Sequence, residues 1–221
     1  MGYFTALLDP RIAIAEGPLN GGPEDLTAEE AMSVAGAVSK RRLEFATGRK
    51  YARSAMAAFG RTASLPRGKD RMPIWPDDLV GSITHTGSWA SAVVARRKDG
   101  FTAIGIDIEP ASELSEDLSE TICTPDERAR LASIDGMTPG LAAHIVFCMK
   151  EAAYKCQFPV SGAMLDFSDM AIAVDVRAGT FSATFLRAAA PFRVDDRLLG
   201  RFSVAGGHIA SAVLIASERA R

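Results

Sequence analysis

Cysteine and histidine are scarce, three of each in 221 residues, and their spacing excludes two classes of protein. Cys123, Cys148 and Cys156 form no CxxC pair and are odd in number. A disulfide scaffold is therefore not expected, and reduced thiols in a cytoplasmic setting are. His85, His144 and His208 lack the spacing of zinc ligands. There is no GxxxxGK[ST] and no GxGxxG, which disfavours ordinary ATPases and dinucleotide enzymes. Long apolar runs are absent, so no membrane span is expected. Met1 to Leu8, followed by Asp9, has no basic segment leading into an apolar stretch, so no export signal is expected either. Excess charge is missing too: a net charge of -2 argues against a protein that coats nucleic acid. No internal repeat or low-complexity segment is present.

What is there is an ordinary globular composition, 48% hydrophobic and 24% charged. The length suits one domain or two closely packed halves. The near-neutral average hides a basic stretch: Lys40, Arg41, Arg42, Arg49, Lys50 and Arg53 face a single acid, Glu44.

Thr27-Ala28-Glu29-Glu30 has the form of a capping box, so a helix is expected to start there and run towards Phe59, with a break near Gly48 and Gly60 at its end. Residues 61–79, rich in Pro, Gly and charge, read as an irregular connection carrying Trp75 between Pro73 and Pro76. Short β-type runs follow at 80–84 and 90–95, joined as a hairpin through 85–89, and a third at 101–109. Thr124-Pro125-Asp126-Glu127 starts a helix, and Leu141, Ile145, Cys148 and Ala152 recur at helical spacing over 140–157. The rest reads as strands at 170–176 and 180–186 and a last hairpin of 202–205 and 209–216, turned by Gly206-Gly207. Helices mixed with antiparallel-type strands define an α+β protein.

Three segments carry chemistry. In Ile104-Gly105-Ile106-Asp107-Ile108-Glu109, strand alternation sends the isoleucines to one face and both carboxylates to the other. Two hard oxygen donors two residues apart suit Mg²⁺, although alone they also fit a solvated strand end. In Phe147-Cys148-Met149-Lys150-Glu151-Ala152-Ala153-Tyr154-Lys155, Glu151 and Lys155 lie one helical turn apart. As an exposed pair they would contribute roughly 0.2–0.5 kcal/mol to stability. Third, Pro73 and Trp75 can wall a flat base, and Thr84, His85 and nearby amides can bind phosphate oxygens. Taken singly, Trp75 also fits a core anchor and His85 a turn residue.

In this order, RRLEFATGRKYARSAM, MPIWP, GSITHTG, GIDIE and FCMKEAAYK resemble the 4'-phosphopantetheinyl transferases of Sfp/EntD type, closest to the EntD-like branch, over about Arg41 to Lys155. The resemblance implies two similar α/β halves in pseudo-twofold arrangement, residues 1–99 and 100–221, with the active site between them. Asp107, Glu109 and Glu151 match the acids that hold Mg²⁺ against the pyrophosphate of coenzyme A. Glu151 and Lys155 are the implied catalytic residues. Lys150 and Lys155 match the motif's lysines and are placed with the coenzyme-binding residues, Lys155 being the one in contact with phosphate oxygens. Arg49 and Arg53 match phosphate-gripping arginines, Thr84 and His85 the pair beside the 3'-phosphate, and Pro73 and Trp75 the adenine border. The implied reaction moves phosphopantetheine from coenzyme A to a serine of an apo acyl, polyketide or peptidyl carrier protein and releases 3',5'-ADP. The expected partners are coenzyme A and the carrier, without nucleic acid or membrane, and the expected state is a monomer. A non-catalytic coenzyme A or carrier-binding module, and a Mg²⁺-dependent nucleotide diphosphate hydrolase, are the competing readings.

Overall fold

The computed structural model describes residues 2–68, 70–131 and 136–216. The chain divides into two compact units, and the division falls between Ile104 and Gly105. The first unit carries strands β1 (Ala13–Pro18), β2 (Leu79–His85) and β3 (Trp89–Arg96) in an antiparallel sheet of order β1-β3-β2. It also carries helices α1 (Ala28–Met32) and α2 (Ser39–Ala57). Ala52, Ala55 and Met56 of α2, Leu79 of β2, Ala92 and Val94 of β3, and Leu65 form its packed core. Each fully buried large side chain there contributes about 1.5–3 kcal/mol of hydrophobic stabilisation.

The capping box at Thr27 forms as expected: Thr27 Oγ1 accepts from the Glu30 amide, and Glu30 Oε2 accepts from the Thr27 amide. The helix it starts is short, however. Where one helix broken near Gly48 is expected, residues 33–38 separate α1 from α2, and Gly48 lies within α2. Two long-range contacts account for this. Glu30 is fully buried, accepting also from the Leu65 amide and from Arg53, and the Arg42 guanidinium donates to the Ala35 and Ala37 carbonyls. A Cβ at Gly48 would lie 2.9 Å from the Ile83 side chain. The glycine therefore permits close packing of α2 on β2 rather than a break.

The second unit carries most of β4 (Phe101–Pro110), helices α3 (Glu116–Ile122), α4 (Pro125–Leu131) and α5 (Pro139–Ser161), and strands β5 (Met170–Asp175), β6 (Thr180–Phe185), β7 (Arg197–Ala205) and β8 (His208–Ala216). Its sheet has the order β4-β8-β7-β6-β5. Gly206 and Gly207 both have positive φ, the conformation a tight β7–β8 turn needs. α5 starts at Thr138, whose hydroxyl accepts from the Leu141 amide, and ends at left-handed Gly162. A Cβ at Gly105 would meet the Ala152 carbonyl oxygen at 1.9 Å and the Cys156 amide at 2.5 Å. Only glycine lets β4 approach the α5 backbone this closely, and that approach brings the Asp107 and Glu109 strand to the Glu151 and Lys155 helix.

Candidate active site

On β4, Ile104, Ile106 and Ile108 are buried, and Asp107 on the opposite parity is only 2% exposed. The motif is therefore not a solvated strand end. The Lys155 ammonium donates to Asp107 Oδ1 at 2.5 Å. Burial disfavours the charge on Lys155, but attraction to Asp107 and Glu151 outweighs it and raises the lysine pKa. Glu151 is raised as well, chiefly by burial, with Asp107 and Glu109 repelling its charge and Lys155 partly offsetting them. Glu151 thus lies within electrostatic reach of Asp107, Glu109 and the Lys155 ammonium. The i,i+4 spacing suggests a Glu151–Lys155 surface pair. The structure instead directs the hydrogen bond of Lys155 to Asp107, a residue far off in sequence.

His144, which sequence reasoning passed over, belongs to this cluster. Its Nδ1 donates to the Ser112 carbonyl at 2.7 Å, and its Nε2 lies 3.7 Å from Glu109 Oε2. The nearby Glu109 carboxylate raises the imidazole pKa against the effect of burial. The signal was present: His144, Cys148, Glu151 and Lys155 recur on one stripe of α5.

Among the described residues no group of three or more His, Cys, Asp or Glu forms a ready metal cage. Mg²⁺ does not require one, since it keeps several waters and uses one or two carboxylates together with substrate phosphates. Asp107, Glu109 and Glu151 supply only hard oxygens, a donor set that fits Mg²⁺. A cavity of about 450 Å³ opens beside Glu151, walled by Thr121, Tyr154, Met164, Leu165 and Phe167.

Lys150 has a different environment from Lys155. Five residues apart at 100° each, the two side chains diverge by about 140° around the helix. Lys150 is buried and donates to the Ile122 carbonyl, to Glu127 Oε2 and to the Phe167 carbonyl, at 2.8, 2.9 and 2.8 Å. All three of its donors are used, which leaves none for a phosphate. Glu127 also accepts from the Thr124 and Ile172 amides, so the pair joins α3, α4, α5 and β5. Lys150→Met is expected to lower stability by about 3–5 kcal/mol, the cost of leaving a buried carboxylate alone. The KM for coenzyme A should stay near wild type. Denaturant unfolding and steady-state kinetics check both, and a large rise in that KM with unchanged stability would return Lys150 to the coenzyme.

In the first unit, His85 Nε2 lies 3.1 Å from an Arg41 guanidinium nitrogen and 3.8 Å from Glu44. Arg49 stacks over Phe45 and donates to the Leu65 carbonyl. Its pKa falls to about 10, first through burial and then through Arg41, Arg53 and Arg67, with Glu30 opposing. Arg49 therefore lies within electrostatic reach of three other guanidinium groups. Arg53 is held by Glu30 and by the Asp25 carbonyl. Thr84 is buried in β2 beside His85. Trp75 is half-buried against the core, and its ring lies where a side chain at Gly81 would stand, 2.7 Å from that Cβ position. Pro73 bridges to Arg67. The sequence reading included Arg41 in the basic run but did not single it out; its approach to His85 does.

Residues 28–95 match the 4'-phosphopantetheinyl transferase N-terminal domain, and residues 103–212 the 4'-phosphopantetheinyl transferase superfamily. The chain belongs to this superfamily and is an enzyme of the phosphopantetheine-transferring kind. It is 36% identical to 4'-phosphopantetheinyl transferase Svp of Streptomyces mobaraensis over 97% of this chain and 90% of that protein. It is 35% identical to 4'-phosphopantetheinyl transferase PptT of Mycobacterium tuberculosis over 91% of this chain and 92% of that one. Enterobactin synthase component D of Escherichia coli K12 is 36% identical over 58% of this chain and 61% of its own length.

Proposed function

We propose that the protein transfers the 4'-phosphopantetheine of coenzyme A to a serine of an apo carrier protein, with Mg²⁺ held by Asp107, Glu109 and Glu151 and with 3',5'-ADP as the leaving product. The observation that carries this reading is the Asp107–Lys155 ion pair at the close approach of β4 and α5, with Glu151 within electrostatic reach of Lys155, Asp107 and Glu109. Such a charge arrangement suits a diphosphate and a divalent cation better than a passive binding surface.

Bound there, Mg²⁺ would neutralise the diphosphate and make its phosphorus more electrophilic. The protein's own groups do the rest. Arg41 and Arg49 offer charged donors, and His85 an imidazole beside Arg41, to the coenzyme's phosphates, with Arg53 braced by Glu30 behind them. Pro73 and Trp75 border the adenine. Glu151, facing the cavity, accepts the serine proton. Lys155 offsets charge on the departing phosphate. The cavity beside Glu151 is in the size range of small-ligand sites and takes the pantetheine arm. Lys150 stays with the fold.

His85→Ala is expected to weaken coenzyme A binding by roughly tenfold to a hundredfold, the loss of one charge-assisted hydrogen bond of about 1.5–3 kcal/mol. Binding of dephospho-coenzyme A should hardly change. Equal losses for both coenzymes would remove His85 from the 3'-phosphate. The reaction as a whole is tested by nucleotide analysis: 3',5'-ADP should appear only when coenzyme A, Mg²⁺ and an apo carrier are all present. Release without the carrier would favour a hydrolase, and no release under any condition a binding module.

A further inference from the structure

We infer that His144 is a positioning residue that holds the Glu109 carboxylate in its metal-binding orientation; this rests on the Mg²⁺ reading above. Glu109 is the penultimate residue of β4, followed only by Pro110 and the turn through Ser112, and its side chain keeps 24% exposure. A carboxylate at a strand end has several rotamers open to it, and fixing one costs entropy at the moment of metal binding. The imidazole, itself anchored on the Ser112 carbonyl, stands at ion-pair distance from one oxygen of that carboxylate and favours one orientation. A carbonyl oxygen can only accept, so Nδ1 carries a proton and donates it to Ser112, which fixes the ring plane. This aims Nε2 at Glu109 Oε2, 3.7 Å away. The ring is 8% exposed and leans on Phe147, so it has little room to turn.

His144 stands seven residues before Glu151 on the same stripe of α5. One helix face therefore supplies both an acid of the cluster and the group that orients another acid arriving from β4. Ser112, the third member, ties the turn after β4 to the same ring. Partners of this kind behind a metal-binding side chain typically change metal affinity by about 10–100-fold when removed.

The test is binding of Mn²⁺, followed by the loss of its free electron paramagnetic resonance signal, to protein saturated with coenzyme A and without carrier, corrected for a coenzyme-only blank. His144→Ala should raise the Mn²⁺ Kd by about 10–100-fold while its circular dichroism and coenzyme A affinity stay near wild type. His144→Gln, whose amide nitrogen reaches the Nε2 position, should recover most of the loss. His144→Asn, which reaches only the Nδ1 position, should not. Unchanged or tighter Mn²⁺ binding by His144→Ala would overturn the inference, as would full recovery by Asn. Wild-type protein that binds no Mn²⁺ above the blank would instead sink the metal reading itself. If His144→Ala does not fold, the Gln and Asn pair decides alone: equal affinities overturn the inference, and weaker binding by Asn upholds it.

Discussion

Asp107→Asn is expected to slow phosphopantetheine transfer by about a thousandfold or more while leaving the protein folded. The substitution keeps the shape of the side chain and one acceptor for Lys155, and removes a charge from a site that is 2% exposed. In so dry a place, losing a carboxylate that would hold the cation at the reacting phosphates costs several kcal/mol of barrier, and each 1.4 kcal/mol or so is tenfold in rate. Raising Mg²⁺ should recover part of the loss at most. The cost in stability should be small, because the neutral amide removes one partner of the ion pair but also removes a buried carboxylate. Transfer within about threefold of wild type at ordinary Mg²⁺ would mean that Asp107 is a structural counter-ion of Lys155 and nothing more.

Lys155→Met should have two separable effects. An exposed Glu151–Lys155 pair would contribute a few tenths of a kcal/mol to stability and nothing to rate. The structure directs the ammonium to buried Asp107, so its removal leaves that carboxylate without its cation and should lower the melting temperature. Coenzyme A and Mg²⁺ together should restore much of that stability by mass action, since they bind the folded state. They should not restore the rate. Transfer at saturating coenzyme A and Mg²⁺ should remain down by roughly two orders of magnitude, because the charge that offsets the departing phosphate is gone. Wild-type turnover once the fold is rescued would confine Lys155 to holding Asp107. Thermal melts and single-turnover kinetics on the same preparation read the two effects apart.

The features legible in the sequence are those set by local chemistry. Gly206-Gly207 marks its hairpin because both glycines take positive φ, and Thr124 with Glu127 marks a helix start through a reciprocal cap that forms as read. Gly105, Asp107 and Glu109 are legible as a motif, although the reason for the glycine, the Ala152 backbone, lies on α5. Features set by distant partners were hidden. β1 has little apolar alternation and is a strand because β3 pairs with it. α1 stops after Met32 because of where Glu30 and Arg42 find their partners, and a capping box reports only where a helix begins. α3 is short and mostly exposed, so its period is weak.

The same distinction runs through the site. Lys150 and Lys155 look equivalent in FCMKEAAYK, yet helix geometry alone puts them on different faces, one towards Glu127 and one towards Asp107. The stripe that His144 shares with Glu151 and Lys155 is legible in the sequence, but the role of His144 is not, because Glu109 and Ser112, which define it, are more than 30 residues earlier in the chain. Arg41 stood unmarked in a basic run until its approach to His85 distinguished it.

The most direct test of phosphopantetheine transfer is the intact mass of an apo carrier protein after incubation with this enzyme, coenzyme A and Mg²⁺. A second enzyme already known to load that carrier serves as the control. The expected result is the mass of one added phosphopantetheine on wild-type carrier, none when the acceptor serine is alanine, and none with Asp107→Asn enzyme over the same interval. A carrier that the control enzyme loads but this protein leaves unmodified, across acyl, polyketide and peptidyl types, would contradict it.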